Sequence, residues 1–521
     1  MKHLRGFAYS LLLLGLGCGG GGGGSSTPAG GGGGSPNGGG LNPPGFEVTL
    51  RFSSPNFGGN RVATLMLQNT PPTENSGATT ATTTALRAEA LIPSVQPPEH
   101  DHDGPQKDLP PALLRAELEQ AQSRPRVEPE IRPKFQELAE GAQQTFFISI
   151  SNLTVTCQKM HDDSETDHCT IFAERVGGVP VITKTKALEI AAAFDDDNPF
   201  SSDPGGIYDQ VRAIFGSEWT QGGGRDGDAK INFVFLSSAS IGGSNFFGFF
   251  RPVDEYSKAT FATSNEGEIL YLNADRLGSD NFDILGTIAH EFQHCISMNV
   301  KFLHQGAFDG NFENSAIDEG KSTLCEDLMG YGLVASGGGS SFVFNVCRRF
   351  LENPSRQSLF TFDGQSDGYG RPYALLRYLV DRFGLATFQN YTQTPNGVGL
   401  AQLRLSYPGF DNLFRDWSMA TLTHDLSGPV PSIWRYTSDF DPTGTYSIRG
   451  LGTVTLPGWT PRNVAAPPNG NTFTNLPPWT AASNEYSSGD GSSLDIEVSG
   501  GASLSGRLVV EGPRGTFLSS Q

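Results

Sequence analysis

The stretch "LGTIAHEFQHCISM", residues 285–298, constrains this chain more than any other, because it sets two histidines four apart in an otherwise apolar run. At roughly 100° per residue, Ile284, Leu285, Ile288, Phe292, Cys295 and Ile296 share one arc of a helix, while His290 and His294 fall almost opposite. The apolar stripe therefore does not account for the histidines. Side chains at i and i+4 are neighbours on a helix, close enough for two imidazoles to ligate one ion, and Glu291 points to one side. In this HExxH arrangement two histidines bind zinc and the glutamate handles protons. Three fixed residues in a chain with nine histidines make coincidence the weaker explanation.

A catalytic zinc site takes three protein ligands and leaves a fourth position to water, so a third ligand is required. Downstream lies "NSAIDEGKSTLCEDLMGYG", where Ser315 followed by Asp318 has the capping-box form and opens a helix through about Met329. Glu319 near the start of that helix is the expected third ligand, with Glu313 and Glu326 next in line. Glu326, seven residues on and on the same helical face, can accept a hydrogen bond from a ligand histidine; a plain surface carboxylate is the competing reading.

The N-terminus carries Lys2, His3 and Arg5, then an apolar core from Phe7 to Leu16 and small residues before Cys18. This is a secretory signal, too short to span a bilayer. The ending "GLGC" resembles a bacterial lipoprotein signal with Cys18 as the lipidated residue, although Gly15 occupies the place usual for leucine. Glycine-rich residues 19–44 form a flexible tether. An exported chain meets oxidising conditions, so Cys157 and Cys169 are expected to form a disulfide closing the loop "QKMHDDSETDH". Cys295 falls on the apolar arc, and the pairing of Cys325 with Cys347 stays open. A net charge of −19 argues against nucleic acid or an anionic membrane surface as partner, leaving membrane contact to a lipid at Cys18.

Strand patterning in "GFEVTLRF", "RVATLML", "TFFISISNLTVTC" and "CTIFAERV", with helices in "PALLRAELEQAQ" and "KFQELAEGAQ", makes residues 45–178 a β-rich accessory domain with a helical insertion. His100 and His102 lie in an acidic, proline-flanked loop and read as solvated. Residues 179–428 alternate helices with the buried strands "KINFVFL" and "GEILYLNA", the second just ahead of the HExxH helix, which suits an α+β catalytic domain. The aromatic run "SNFFGFF" either packs beneath a loop or lines a substrate cleft. Asp226 and Asp228 invite calcium, but a Gly/Asp turn before a strand is the preferred reading. Residues 429–521, rich in Gly, Pro, Ser and Thr, read as a small β-domain.

HEFQH at residues 290–294, with "DEG" beginning 24 residues after His294, resembles the gluzincin metallopeptidases, whose third zinc ligand is a glutamate before a glycine. The secreted hyicolysin-like bacterial family is the nearest in form, over roughly Thr183 to His424. "AIDEG" departs from the "WLNEG" frequent in gluzincins. "DGYGRPYALLRYL" resembles the gluzincin aminopeptidase stretch whose first tyrosine steadies the oxyanion, which implies that role for Tyr369, with Tyr373 as the fallback and core packing as the competing reading. The resemblance implies a gluzincin-like metallopeptidase domain between β-rich flanks, hydrolysing peptide bonds of a protein or peptide substrate at the cell envelope or outside it. His290, His294 and Glu319 would hold Zn2+, Glu291 would move protons and Tyr369 would serve the oxyanion. The rivals are an adhesion lipoprotein using the fold as a scaffold, against which the intact Glu291 speaks, and a zinc aminopeptidase, for which no "GxMEN"-like strand precedes His290.

Overall fold

Residues 231–236 and 269–273 are buried at every position, which suits strands covered on both faces. In the computed structural model they lie side by side in parallel, at the centre of a mixed sheet. The structure describes residues 47–54, 62–85, 89–90, 107, 110–123, 131, 135, 137–161, 168–219, 224, 226–303, 310–364, 366–395, 397–424, 430–459, 471–487, 494–511 and 517–520. Cys18, the 19–44 tether, His100 and His102 lie outside the described residues.

In chain order, strands β1 (Glu47–Ser54), β2 (Val62–Asn69), β3 (Thr79–Ala85) and β4 (Glu89–Ala90) precede helix α1 (Pro111–Gln122). Next come β5 (Gln143–Ile148), β6 (Leu153–His161), β7 (Cys169–Val176), β8 (Val179–Pro180), α2 (Lys184–Asp195), α3 (Ile207–Phe215), β9 (Ile231–Leu236), β10 (Gly248–Phe250) and β11 (Ile269–Asn273). Helices α4 (Phe282–Lys301), α5 (Ser315–Glu326), α6 (Ser341–Glu352), α7 (Ser366–Phe383), α8 (Leu385–Gln393), α9 (Gly399–Ser406) and α10 (Phe410–Thr423) follow. The chain closes with β12 (Thr445–Ile448), β13 (Gly452–Thr455), β14 (Asn471–Leu476), β15 (Thr480–Ser487), β16 (Leu494–Gly501), β17 (Leu504–Glu511) and β18 (Phe517–Ser520).

The central sheet runs β10-β11-β9-β7-β6-β5, with β8 added to β7. Strands β7, β9 and β11 are mutually parallel, and β10 is an antiparallel edge beside β11. Alternation sends Phe233, Phe235, Leu270 and Leu272 into the large core that contains Ile288, Phe292 and Ile296 of α4. Val234, Leu236, Ile269 and Tyr271 face a second core with Phe135, Phe146 and Phe172. The molecule thus mixes α and β structure, with a helical layer against a mixed sheet whose parallel strands lie at its centre. Among the described residues no helix is long and apolar enough to cross a membrane.

The division at residues 178 and 428 does not follow the strand pairing. Strands β5 to β8 belong to the central sheet, not to an accessory domain. Strands β1 to β4 instead interleave with the C-terminal strands in two antiparallel sheets, β1-β16-β3-β14 and β18-β17-β2-β15-β4. The sequence shows each strand's alternation but not its partner, which lies hundreds of residues away. The described residues of "KFQELAEGAQ" form no helix either: residues 137–141 are turn and loop, and Phe135 is fully buried in the second core.

The expected Cys157–Cys169 disulfide is not formed; Cys157, Cys169, Cys295, Cys325 and Cys347 are all buried, and none of the five is bridged to another. In the β6–β7 register Cys157 stands opposite Glu174, five residues along β7 from Cys169. That offset is about 16 Å along a strand, beyond the roughly 7 Å Cα separation a disulfide tolerates. The two side chains also enter different cores, on opposite faces of the sheet.

Candidate metal centre

Helix α4 crosses the central sheet, and Gly248 lets the edge strand β10 come up against it. A Cβ at Gly248 would lie 2.8 Å from Thr287 Cγ2, so only glycine fits. The close approach brings the Phe250 N–H within 2.9 Å of Glu291 Oε2, to which it donates. Helix α5 starts one residue earlier than the capping-box pattern implies. Asn314 is its N-cap, accepting from the N–H groups of Ala316 and Ile317, as short side-chain acceptors at this position do. Gly320 lets α5 sink onto α7, since a Cβ there would lie 2.6 Å from Pro372 Cβ. The glycine of "DEG" thereby has a packing reason, and Glu319 before it points toward α4.

His290, His294 and Glu319 come together, their ligand atoms lying within 4.8 Å of one another; this is the one such group of three among the described residues. Glu319 Oε2 is 3.3 Å from His290 Nε2 and 3.7 Å from His294 Nε2. Each histidine is held from behind. His290 Nδ1 is 2.8 Å from Glu326 Oε1, and His294 Nδ1 is 3.0 Å from Asp318 Oδ2. With Nδ1–H donating to a carboxylate, both Nε2 lone pairs turn toward Glu319, the tautomer a metal ligand needs. Ser297 Oγ donates to the other Asp318 oxygen at 2.6 Å, fixing that carboxylate. Two imidazoles and a carboxylate are a donor set that could hold a metal ion.

Burial disfavours charge on both imidazoles, yet the facing carboxylates outweigh it. His290 is raised by Glu319 and Glu326, and His294 is raised well above the usual histidine value by Glu319 and Asp318. Burial pushes the Glu291 carboxyl up to about 7, against the lowering influence of both histidines. Burial would also raise Asp318, but His294 holds it below the ordinary aspartate range. Glu291 Oε1 has no hydrogen-bond partner. With Oε2 fixed by Phe250, that oxygen is the one able to exchange protons with a reacting molecule.

Glu326, expected from its helical position behind one of the two histidines, stands at His290 Nδ1. Tyr369 is buried beside the site, its ring centroid 6.4 Å from that of His290 and edge-on to Phe342 and Phe362. Tyr373 is directed elsewhere and donates to Asp327 Oδ2 at 3.1 Å. Glu313 lines a cavity beside His294 and Glu319, with its oxygens engaged by Lys321 and the Gly399 N–H. Asp226 accepts from the Asp228 N–H at 2.9 Å, an Asx turn leading into β9. Of "SNFFGFF", Phe250 lines the same cavity with Pro252, Met298, His294, Asp318 and Glu319.

Sequence reasoning missed three participants. Asp318 reads as a capping residue in the sequence, although it directly precedes Glu319. Phe342 of helix α6, which no motif marks, packs 6.1 Å, centroid to centroid, from His290. Lys107, buried at 2% side-chain exposure, donates to Glu326 Oε2 at 2.6 Å; a lone lysine in a proline-rich stretch carries no local signal of that partner. No protein-family model matches the chain, and no similarity to a curated protein was found.

Proposed function

We propose that this chain is an exported, zinc-dependent endopeptidase of gluzincin type, closest in form to the hyicolysin-like family. The observation that carries the reading is the pair of carboxylate-backed histidines, His290 on Glu326 and His294 on Asp318, turned toward Glu319 with Glu291 beside them. A structural histidine pair needs neither matched Nδ1 partners nor a buried carboxylate with one oxygen unpaired.

The chemistry that bound zinc supplies is Lewis acidity toward a carbonyl oxygen and toward water. Glu291 performs the proton work. Its Oε2 is anchored by the Phe250 N–H, and Oε1 takes the proton of the attacking water and delivers it to the leaving amine. Asp318 and Glu326 keep the ligand imidazoles oriented. Tyr369 would donate to the oxyanion as charge develops. The signal-like residues 1–18 of the sequence support export, with Cys18 as the proposed lipid attachment point.

Elemental analysis of the purified chain should give one zinc per molecule. Casein digestion should stop when a chelator removes the metal and return on adding zinc. A fully metal-loaded chain that leaves casein and unfolded peptides intact would refute the proposal.

A further inference from the structure

The site is closed over. His290 and Glu291 have no exposed surface, and Glu319 is 1% exposed. A peptide bond must come within hydrogen-bond reach of Glu291, directly or through one water, and the cavity lined by His294 and Glu319 does not include Glu291 in its lining. Part of the covering is the chain's own segment around α1. Lys107 docks at the His290 end, pairing with Glu326 and lying 4.6 Å from the ring centroid of Phe342. At the His294 end, Leu114 and Leu118 line the cavity with His294, Glu319 and Phe250.

The segment is fastened by two buried ion pairs, one at each end. Beyond Lys107–Glu326, Glu117 Oε1 accepts from Arg251 Nε at 3.0 Å and from Nη2 at 2.9 Å. Arg251 directly follows the edge strand β10. It also donates to Asp254 Oδ1 and to the Thr263 carbonyl, so it stays paired if α1 leaves. Glu326 likewise keeps His290 as a partner. Both anchors thus keep a partner in the main body when α1 leaves, so the latches can open without stranding a buried charge there. Part of α1 faces solvent, Arg115, Glu119 and Gln120 among its exposed positions.

We propose that Lys107 and α1 form an intrachain cover of the metal site, latched by Lys107 on Glu326 and by Glu117 on Arg251, which must swing aside before a peptide reaches Glu291. The inference rests on the metal-site reading but not on hydrolysis. Because Glu326 also orients His290, the Lys107 latch ties the position of the cover to the same carboxylate that supports a ligand.

The test uses the full chain loaded with zinc, as wild type and as Lys107→Ala/Glu117→Gln. Two rates are followed, zinc loss to excess EDTA and casein cleavage. Activity and access scale with the open fraction, so losing both latches should raise both rates about tenfold or more. An unchanged zinc-release rate overturns the cover. Faster release with no cleavage by either chain supports the cover and sinks the peptidase reading. Equal release rates with brisk cleavage by both do the reverse. A Leu118→Ala chain that changes side-chain preference at an unchanged release rate makes α1 a fixed wall and overturns the cover. Should the double variant fail to fold, hydrogen exchange on the wild type decides: α1 amides exchanging faster than those of α4 support the cover, and equal protection overturns it.

Discussion

Asp318 Oδ2 stands 3.0 Å from His294 Nδ1, one residue before the carboxylate that would share a metal with that histidine. One turn of α5 therefore carries both the candidate ligand Glu319 and the carboxylate that faces His294 from behind. Asp318→Ala should weaken zinc binding about tenfold to a hundredfold, the usual cost of losing such a partner. Asp318→Asn, whose amide oxygen can still accept from Nδ1–H, should lose less. Competitive zinc titration checks both, and equal affinities across the three chains would remove Asp318 from the metal centre.

Glu291→Gln should keep zinc and lose hydrolysis. The amide preserves volume and the acceptor for the Phe250 N–H, but it cannot take a proton. General-base catalysis is worth about a hundredfold or more, so a variant retaining over a tenth of wild-type casein turnover would exclude the role.

For Tyr369, beside His290, the expected result of substitution to Phe is a loss of about a hundredfold in kcat with little change in KM, the behaviour of an oxyanion donor. Tyr373→Phe should be nearly silent in turnover, because that hydroxyl serves Asp327. Steady-state kinetics with matched zinc content decide. The reverse pattern would move the role to Tyr373.

Lys301 is 2% exposed, and burial pushes its pKa down to about 7. The unfolded side chain titrates near about 10.4. Between those values the unfolded chain holds a proton that the folded chain lacks, so unfolding free energy rises with pH across this window and the contribution is flat below it. Lys301→Met should remove that slope. Urea midpoints at about pH 7.5 and about pH 9.5 provide the measurement: the wild type should gain more than the variant, and parallel gains would contradict the depressed pKa.

The cysteines give a purely chemical check. Cys157, Cys169, Cys295, Cys325 and Cys347 should resist a thiol reagent in the native chain and react fully once it is denatured without reductant. Burial both hides them and raises the pKa of Cys157, Cys295, Cys325 and Cys347. A Cys157–Cys169 cross-linked peptide in a non-reducing map would revive the disulfide.

What the sequence carried was local. The 3.6-residue period displayed His290 and His294 on one face of α4, and the limited set of carboxylates on the following helix pointed to Glu319. Helical spacing likewise put Glu326 in line with it. Non-local facts stayed hidden. Asp318 has the same chemistry as a helix-capping residue, and only the crossing of α4 and α5 aims it at His294. Cys157 and Cys169 flank a loop in sequence, but β6 runs on through His161 and carries Cys157 away from its expected partner. The partners of β1 to β4 could not be read at all, because alternation marks a strand without naming its neighbour.

The interleaving of the two ends also sets a timetable for the molecule's birth. Every described neighbour of β1, β2, β3 and β4 is a C-terminal strand, with Val62 opposite both Ser487 and Glu511. The strands made first can find no lasting partner until the last strands have emerged, and closing so long a loop is slow. During that wait they present unsatisfied edges to any other chain nearby. A chain broken off after residue 428 would leave those edges open for good, so its expected fate is clumping or degradation rather than survival in shortened form.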